Sequence, residues 1–545
     1  MDARRVPAGQ VGPGRARADF GRITAPLRRW ARPPSSSAPD PEQLALFGVG
    51  RPEVRRPPRQ SPARRPRARP EPGPPVPFDI EARVLLVAAV AGYILLFSYW
   101  TVRNHEGLGT QAFDFGIYDQ GLWLLSHFKS PFVTVMGRQL FGDHTSFILL
   151  PLVPISWLLP SAKVLLVSQA TALGMGAVPT YLLARDKLRD EMLAALLAVA
   201  YLLQPVLGWT NLEHFHPDVF EVPLLLFALL FMFRERWIPF LLCVALLLLV
   251  KEDVVLLTLV LGLYVGYEYD RRVGYITCAM SLLYAAAALW WVLPALNGVG
   301  TLNGWRIPFG GPGGFLRTVI AHPGRVISYT LTRDRLWYLW QLLAPLGLVA
   351  LLAPGVLLIG VAALGSNLLS TFLYQYNIHY HYSTLVLPVI VAATIVGVAT
   401  RPTRAQRKQL VIVVLASSLV CAYLWGPTPL GRHEAAIADP GTPLVASFHA
   451  AERLLPPDAA VSTFYSWLPQ IDHREEVYMF PNPFKASYWG TFTQEGQRLP
   501  QADRVQYLLL PKQLDPEPKA VFDSIRAGFD VVYDQGGVVL LHRRP

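Results

Sequence analysis

The sequence is poor in charged residues. Only 16% of its 545 residues are Asp, Glu, Lys or Arg, whereas 52% are hydrophobic, and the mean hydropathy is +0.32. A soluble protein usually carries about 25% charged residues, so this composition excludes a soluble enzyme. The apolar residues are gathered in runs close to the ~20 residues that a helix needs to cross a bilayer. The composition therefore predicts an all-α polytopic membrane bundle.

Cysteine is also scarce. The chain has three cysteines, Cys243, Cys278 and Cys421, and each lies within an apolar run. Their spacing provides neither a disulfide framework nor a cysteine-based metal site. We predict that they are small packing residues.

The amino-terminal 83 residues contain no lysine and few aromatic residues, but many arginines, prolines and glycines. Such a segment cannot bury enough apolar surface to fold, and it has few rings that could stack on nucleic-acid bases. We predict that residues 1–82 are a disordered cytoplasmic tail that contacts anionic lipids, with no nucleic-acid partner. The first apolar run begins only near Val84, which excludes a signal peptide.

The positive-inside rule determines the predicted topology. With the Arg-rich tail in the cytoplasm, the basic segments 185–191, 234–236, 270–272 and 401–408 all fall on the cytoplasmic side. This arrangement requires that segment 145–160, which holds three prolines, does not cross the membrane. About eleven transmembrane helices result, in the plasma membrane, and they are predicted over residues 84–102, 162–184, 191–208, 218–233, 237–250, 254–269, 274–293, 337–353, 355–372, 383–400 and 410–425.

The carboxy-terminal segment has a different character. From residue 427 onward, helix-like and strand-like stretches alternate, and the last of them form a hairpin pattern around Gly536 and Gly537. We predict a transmembrane domain over residues 83–426 and a small α/β domain over residues 427–545. Because the number of spans is odd, the α/β domain is predicted to be extracytoplasmic.

Several polar stretches fall on the outer face in this topology. The basic segments that determine the topology do not by themselves require this. Polar groups that come from separate loops and gather at one face indicate a single site. The stretches are "FDFGIYDQ" (113–120), "GDH" (142–144), "LEHFHPD" (212–218), "KED" (251–253) and "YNIHYHY" (376–382).

Asp114 and Asp119 lie in an apolar stretch beside the membrane, where a carboxylate is costly and is usually partnered or functional. They are five residues apart, so a straight helix would place them on different faces, whereas a turn near Gly116 would bring them together. In the functional interpretation Asp114 is a general base and Asp119 supports it. In the structural interpretation they cap a helix that begins near Ile117.

Two further polar stretches each allow more than one interpretation. Asp143 and His144 either cap a helix or join the site of Asp114. In the loop that holds Glu213, His214 and His216, extended backbone would point both imidazoles the same way. These side chains could bind a metal or a phosphate, or they could form an interfacial cluster.

Lys251, Glu252 and Asp253 stand between apolar runs. In the functional interpretation Lys251 binds a phosphate oxygen and Glu252 accepts a hydrogen bond, whereas the alternative is a turn whose charges neutralise each other. Segment 376–382 is predicted to belong to an aromatic belt at the membrane surface. A place in a substrate groove is the alternative, because Tyr and His can stack on sugar rings. Loop 294–336 is rich in glycine and could cover a phosphate groove through its arginines, which are Arg306, Arg317, Arg325, Arg333 and Arg335.

The combination of "FDFGIYDQ", "GDHTSFILLPLVPISWLLP", "HFHPDVFEVP" and "VKEDVVLLTLVLGLY" resembles a family of bacterial membrane proteins known as domain of unknown function 2079. The resemblance covers about residues 84–540. That family is in turn similar to the polytopic C-type glycosyltransferases, which take sugars from polyprenyl-phosphate carriers on the outer membrane face. Those enzymes share a long first outer loop with a key Asp near the end of the first span, and they often end in an extracytoplasmic domain.

The resemblance implies a glycosyltransferase in which Asp114 is the catalytic base and Asp119 orients it or the acceptor. The donor would be a polyprenyl-phosphate sugar within the membrane lipids, and the acceptor an envelope glycan or protein. A divalent cation stays open, because the wider superfamily contains members with and without one. The predicted substrate-binding residues are Asp143, His144, Glu213, His214, His216, Lys251 and Glu252.

Two other classes of function remain alternatives. A transporter or lipid flippase would carry its polar residues through the middle of the bilayer on broken helices. A non-catalytic envelope scaffold would bind a partner through its outer domain.

Overall fold

The computed structural model describes residues 76–545 apart from 302, 430 and 489–493. The predicted tail lies outside the described residues as far as residue 75. The described chain is mostly helical, as the composition predicts. Its first eleven α-helices are α1 (Ile80–Glu106), α2 (Ile117–Ser126), α3 (Leu140–Asp143), α4 (Val153–Ser156), α5 (Ser161–Met175), α6 (Ala177–Leu188), α7 (Glu191–Leu202), α8 (Pro205–Glu213), α9 (Glu221–Phe233), α10 (Trp237–Leu248) and α11 (Val255–Glu268).

The second part of the helical bundle contains shorter and more broken elements. Its α-helices are α12 (Arg271–Ala287), α13 (Leu293–Asn297), α14 (Gly311–Ala321), α15 (Pro323–Thr330), α16 (Arg333–Leu343), α17 (Pro354–Leu357), α18 (Val361–Leu369), α19 (Leu387–Ala399) and α20 (Arg404–Trp425).

Several helical stretches of the described chain are long and apolar enough to cross a membrane, so the protein is a multi-pass membrane protein. There are five of them, or six if α7 and α8, which are bent by 44°, form one span. Other predicted spans coincide with shorter helices such as α10, and the count of eleven therefore stays a prediction. The five stretches are Ile80–Glu106, Ser161–Leu188, Arg271–Asn297, His381–Ala399 and Arg404–Trp425.

Charged residues mark where the first span begins. The carboxylate of Asp79 accepts a hydrogen bond from the backbone N–H of Ala82 at 3.0 Å and caps α1. The guanidinium of Arg83 donates two hydrogen bonds, of 2.7 and 3.0 Å, to the buried carboxylate of Glu191. The start of α1 therefore lies beside the start of α7, at one end of the bundle.

Helices α11 and α12 pack closely through glycines. A Cβ atom added at Gly274 would lie 2.4 Å from the Cα of Gly266 and 2.7 Å from the carbonyl oxygen of Gly262, well inside the ~3.5 Å of an ordinary carbon–carbon contact. We expect Gly274→Ala to force the helices apart and to lower the free energy of unfolding by about 1–3 kcal/mol.

Thermal unfolding of the purified protein in detergent measures this effect. Gly92→Ala in α1 is the matched control, since a Cβ atom there would meet nothing within 4 Å. We expect the control to keep its unfolding midpoint. Equal midpoints for the two variants would show that the glycine contact does not determine the packing of α11 on α12.

The proline-rich segment 145–160 forms only a short helix. A 3-10 helix at Phe147–Leu152 continues into α4, and together they fall well short of the ~20 residues of a transmembrane helix. This agrees with the prediction that the segment does not cross. The predicted span 337–353, in contrast, is not one continuous helix, because the chain turns at Gly347 and Leu348, which have φ values of +62° and +59°.

The region 294–336, which the predicted spans leave as an outer loop, is largely helical. Both α14 and α15 have a proline near their first position, at Pro312 and Pro323, where the missing N–H costs no hydrogen bond and the fixed φ favours a helix. The glycines lie mainly before and at the start of α14. The two helices lie between α13 and α16, next to the candidate site described below.

The carboxy-terminal segment forms the mixed α/β structure that its alternating pattern predicts. Helices α21 (Pro443–Glu452) and α22 (Pro516–Ile525) accompany a sheet. Gly536 and Gly537 have φ values of +56° and +86°, as a tight two-residue hairpin requires. Strands β1 (Phe132–Val133) and β2 (Arg138–Gln139) form a separate hairpin, and the sheet contains β3 (Val461–Thr463), β4 (Val477–Met479), β5 (Tyr507–Pro511), β6 (Phe529–Gln535) and β7 (Val538–Arg543).

The five strands are ordered β4-β3-β5-β7-β6. Strand β3 pairs in parallel with β4 and β5, whereas β7 pairs antiparallel with β5 and β6. Antiparallel edge strands on a parallel sheet are common in α/β folds.

The carboxy-terminal sheet region packs on the long segment that follows α1. The backbone N–H of Ala112 donates to the carbonyl oxygen of Tyr465 at 2.8 Å, and the hydroxyl of Thr134 donates to the carbonyl oxygen of Val477 at 2.7 Å. These contacts hold the first long loop in a defined conformation. The domain boundary between residues 426 and 427 stays a prediction.

Candidate active site

Polar side chains from five separate connections meet in one cavity of about 420 Å³. The connections follow α1, α8, α10, α13 and α18. Because each of them joins two helices of the bundle, their side chains gather at one end of it. The predicted site residues that line the cavity are Asp114, Asp143, His144, Glu213, His216 and Lys251.

Asp114 occupies an irregular turn just before α2. The segment Ala112–Gly116 is kinked and not helical at its centre, where Phe113 is extended and Asp114 has φ +66° and ψ −75°, a combination that costs energy for a residue with a side chain. Its carboxylate is 41% exposed, and Oδ1 lies 3.4 Å from Nε2 of His216. The turn thus presents an accessible carboxylate to the cavity.

The neighbours of His216 orient its ring and favour its charged form. Nδ1 donates to the carbonyl oxygen of His214 at 3.2 Å, so Nε2 is the nitrogen that faces Asp114. Although burial opposes the charged ring, the carboxylates of Asp114 and Glu213 raise the pKa of His216 to about 9. Although burial also opposes the charged carboxylate, the positive ring lowers the pKa of Asp114 below its usual value. The contact with His216 therefore favours the ionised form of the Asp114 carboxylate.

Asp119 lies away from this cavity. Its side chain is completely buried, accepts a short hydrogen bond from the hydroxyl of Ser161, and lies 3.3 Å from Nε2 of His473. The turn at Gly116 does not bring Asp114 and Asp119 together, because the two side chains leave the chain toward different partners. Neither residue caps α2, whose first turn has no side-chain cap.

His144 links two of the connections. Its Nδ1 lies 2.7 Å from Oε1 of Glu252, and Oε2 of Glu252 accepts a hydrogen bond from the backbone N–H of Thr145 at 3.2 Å. Glu252 thus lies behind His144 and holds it against the cavity wall. Burial would raise the pKa of Glu252, but the positive charge and hydrogen bond of His144 lower it to about 2. Arg138 forms an ion pair of 3.2 Å with Asp143.

Lys251 lines the cavity, but its charge is already balanced. Its Nζ lies 3.2 Å from Oδ1 of Asp218 and 3.9 Å from Oδ2 of Asp253, and its side chain is almost completely buried. The interpretation of this turn as a neutralised cluster therefore fits the contacts better than the interpretation of Lys251 as a direct phosphate ligand.

Arg306 also lines the cavity, and its guanidinium contributes positive charge there. Its guanidinium lies over the ring of Phe372, 4.5 Å from the centroid, and Nη1 is 3.5 Å from the hydroxyl of Tyr382. Among the described residues, no carboxylate forms an ion pair with it, and Nε has no hydrogen-bond partner. Of the five arginines between residues 294 and 336, this is the one that lines the cavity.

The aromatic segment near residue 380 is part of the cavity, so its assignment to an outward-facing aromatic belt is wrong. Tyr380, His381 and Tyr382 all line the cavity. The ring of His381 stacks on that of His216 with centroids 3.6 Å apart, and its backbone N–H donates to Glu213 at 2.7 Å. The sequence of this segment alone could not distinguish it from an aromatic belt. Its place in the cavity depends on the contact with His216, which is distant in sequence.

Glu213, His216 and His381 offer ligand atoms that lie within 4.8 Å of one another. The set differs from the one that the His-x-His spacing predicts, since the ring of His214 does not line the cavity. His214 instead supplies the carbonyl oxygen that orients His216.

The fold is similar to that of solved membrane proteins. The crystal structure of ArnT from Cupriavidus metallidurans bound to undecaprenyl phosphate has a TM-score of 0.50 and 12% identity, and the alignment covers 85% of this chain and 98% of that one. The apo structure of ArnT gives a TM-score of 0.49 at 13% identity, covering 84% and 98% of the two chains. The mycobacterial arabinofuranosyltransferase AftD gives 0.45 at 15% identity, covering 85% and 40%.

The similarity to ArnT at a TM-score of 0.50 concerns the fold alone. A comparison with curated proteins gave no match. One family, described as "Predicted membrane protein (DUF2079)", matches residues 104–540. That range contains the cavity, the turn of Asp114 and nearly all of the carboxy-terminal sheet region, so the chain belongs to the DUF2079 family of membrane proteins.

Proposed function

We propose that this protein is a membrane glycosyltransferase that moves a sugar from a polyprenyl-phosphate carrier to an acceptor in the cell envelope. One observation carries the proposal: an ionised, accessible carboxylate, Asp114, and a cation without a carboxylate partner, Arg306, line the same cavity. A transfer from a lipid phosphate needs a base for the acceptor and a positive group for the departing phosphate. The resemblance to C-type glycosyltransferases and the ArnT-like fold support the same reaction.

The reaction is a single displacement. Asp114 accepts the proton of an acceptor hydroxyl while the hydroxyl oxygen forms a bond to the anomeric carbon of the sugar. The bond between that carbon and the phosphate oxygen breaks, and its electron pair leaves with the lipid phosphate. Attack from the face opposite the phosphate inverts the anomeric centre.

Positively charged and aromatic side chains would bind the donor. Arg306 is the phosphate ligand, since a guanidinium matches the geometry of phosphate oxygens. The rings beside it, Phe372 and Tyr382, supply an apolar surface on which a sugar can lie. Lys251 does not contact the donor directly. Its ion pair with Asp218 instead fixes the wall of the cavity.

His216 keeps Asp114 ionised, and His144 is held by Glu252 within reach of the donor. Asp119 has no direct part in this mechanism, since its carboxylate is buried against Ser161 and His473. Its effect on the site is indirect, through α2.

The set of Glu213, His216 and His381 fits a divalent cation, because its ligand atoms already lie within 4.8 Å of one another. The cation would supply additional positive charge for the phosphate. Without it, His216 keeps the role described above, as the positive partner of Asp114.

We place the amino terminus in the cytoplasm, and the cavity and the carboxy-terminal sheet region on the outer side. The distribution of basic loops supports this orientation. A lipid-borne donor is the appropriate one there, because the cytoplasm, and not the envelope, supplies nucleotide sugars. The acceptor would be an envelope glycan or protein.

Mass spectrometry of envelope glycans and lipid-linked sugars, in cells with and without this protein, tests the proposal. We expect the deletion strain to accumulate a polyprenyl-phosphate sugar and to lack one glycan substituent, and the wild-type chain to restore both. A flippase would change the membrane leaflet in which the lipid-linked sugar accumulates. Identical glycans and lipid-linked sugars in the two strains would contradict a transferase.

A further inference from the structure

A second polar cluster lies outside the cavity, where α2 and α5 meet the segment after β3. It consists of Asp119, Ser161, Asp472 and His473. Both carboxylates are completely buried, with 0% of each residue exposed. Oδ2 of Asp119 and both carboxylate oxygens of Asp472 have no hydrogen-bond partner among the described residues. Three buried carboxylate oxygens without a hydrogen-bond partner thus lie in one cluster, and such groups are rare enough in proteins to require an explanation.

Two adjacent buried carboxylates are costly unless a positive group compensates them. His473 offers one compensating group: its Nε2 lies 3.3 Å from Oδ1 of Asp119 and 3.9 Å from Oδ1 of Asp472. Arg474 is the next candidate, but its guanidinium donates to the backbone carbonyls of Ile471 and Ala459. One imidazole is therefore the nearby cation for two buried carboxylates, which leaves the cluster short of positive charge.

The arrangement of the three side chains suits a metal ion. Asp119, Asp472 and His473 offer one ligand atom each, and these atoms lie within 4.8 Å of one another. Ligand atoms about 2.1 Å from a tetrahedral zinc ion lie about 3.4 Å apart. Nε2 of His473 already lies 3.3 Å from Oδ1 of Asp119 and 3.9 Å from Oδ1 of Asp472, so a contraction of at most about 1.4 Å between the remaining ligand atoms would complete the site. The hydroxyl oxygen of Ser161 lies 2.8 Å from Nε2 of His473 and holds this nitrogen beside the carboxylates. The ring of Trp123 lies nearly parallel to that of His473, with centroids 6.2 Å apart.

We propose that Asp119, Asp472 and His473 bind a divalent cation that ties α2 to the carboxy-terminal sheet region. Two carboxylates and one imidazole favour Zn²⁺ or Mn²⁺, because Mg²⁺ and Ca²⁺ prefer sites made only of oxygen ligands. The ligands come from segments about 350 residues apart in sequence, so the cation acts as a cross-link. The side chain of His473 is 41% exposed, which gives the ion a path from solvent.

The site would position the base without taking part in the chemistry. Asp119 lies in the first turn of α2, directly after the irregular turn that holds Asp114. The hydrogen bond from Ala112 to Tyr465 fixes the other side of that turn. A cation at Asp119 would thus hold the segment in place from both sides, and Asp119, Asp472 and His473 are positioning residues.

Metal content of the full-length protein tests the proposal. The protein in detergent is stripped with a chelator, supplied with Zn²⁺ or Mn²⁺ alone, freed of excess metal and analysed by elemental mass spectrometry and thermal unfolding. We expect Asp472→Asn and His473→Gln to retain one equivalent less than wild type. We also expect the metal to raise the unfolding midpoint less in these variants than in wild type.

The control lies in the same loop. Glu475→Gln removes an exposed carboxylate that pairs with Lys129, and we expect this variant to bind as much metal as wild type. The ligand set around Glu213 is intact in every variant, so the difference in metal content reports only the second site. This measurement needs no substrate, and it therefore stands or fails independently of the proposed transferase activity.

One alternative is that a proton, and not a metal, neutralises the two carboxylates. Asp472→Asn would then resemble the protonated acid, and its metal content and unfolding midpoint would equal those of wild type. If Asp472→Asn does not fold, His473→Gln decides, because its half-exposed side chain can change without opening a cavity. Equal metal content in wild type and in His473→Gln would overturn the proposal.

Discussion

Asp114→Asn is expected to lower the rate of sugar transfer by about 10²–10⁴-fold, the usual contribution of a general base. The amide has the shape of the carboxylate but cannot accept the proton of the acceptor hydroxyl. Donor binding should change little, because the cations that face the phosphate remain. Transfer from a polyprenyl-phosphate sugar by the purified protein, followed as release of the lipid phosphate, measures the loss.

The effect of His216 on the pKa of Asp114 leads to a related prediction about the pH dependence of the reaction. Its charge holds the pKa of Asp114 below the usual value, so in wild type the base stays ionised far into the acid range. In His216→Gln the stabilising charge is gone while the burial remains, and the pKa of Asp114 should rise by about 1–3 units. The acid limb of the pH profile of kcat/KM is therefore expected to move to higher pH.

Glu106→Gln is the matched control for both variants. Glu106 lies at the end of α1, pairs with the exposed Lys163 at 2.9 Å and does not line the cavity. It should keep the wild-type rate and pH profile. If Asp114→Asn stays within threefold of wild type, or if His216→Gln leaves the acid limb in place, Asp114 is not the base.

The gathering of Asp114, His216 and Lys251 in one cavity could be predicted from the sequence. Charge bias assigned each loop to a side of the membrane, and polar stretches from separate loops then fell on one face. That inference needed no side-chain geometry, because short connections between helices of one bundle must meet at its ends.

The role of Asp119 could not be predicted in this way. Its direction is decided by the irregular turn around Gly116 and by His473, about 350 residues further along the chain. Spacing within the loop carries no information about either. The charge balance of Lys251 is a similar case, because its partner Asp218 belongs to a different connection.

The carboxy-terminal hairpin was the easiest element to predict, since two adjacent glycines between apolar stretches specify a tight turn. The helices in region 294–336 were missed, because the region was assigned as an outer loop from the limits of the neighbouring spans, whereas the prolines that begin the helices indicate helix starts. Arg306 was one of five arginines there, and only tertiary structure distinguishes it from Arg317.

The difference in position between Arg306 and Arg317 is the basis of the second prediction. Arg306→Gln is expected to reduce kcat/KM for the lipid-phosphate donor by about 10²–10³-fold, because it removes a preorganised positive charge from the place where the phosphate leaves. Arg306→Lys should recover part of the activity, since it restores the charge without the planar fork that grips two phosphate oxygens.

The control for Arg306 comes from the same region of the chain. Arg317 is exposed on α14 and does not line the cavity, so Arg317→Gln removes an equal charge without touching the site. If the arginines acted only by attracting anionic lipid to this face of the protein, the two variants would be impaired alike, and added salt would weaken both in parallel. A direct phosphate contact predicts instead that Arg306→Gln alone loses activity and loses affinity for the product, polyprenyl phosphate. Equal kinetics of the two variants would remove Arg306 from the mechanism and leave the phosphate to the other cations of the cavity.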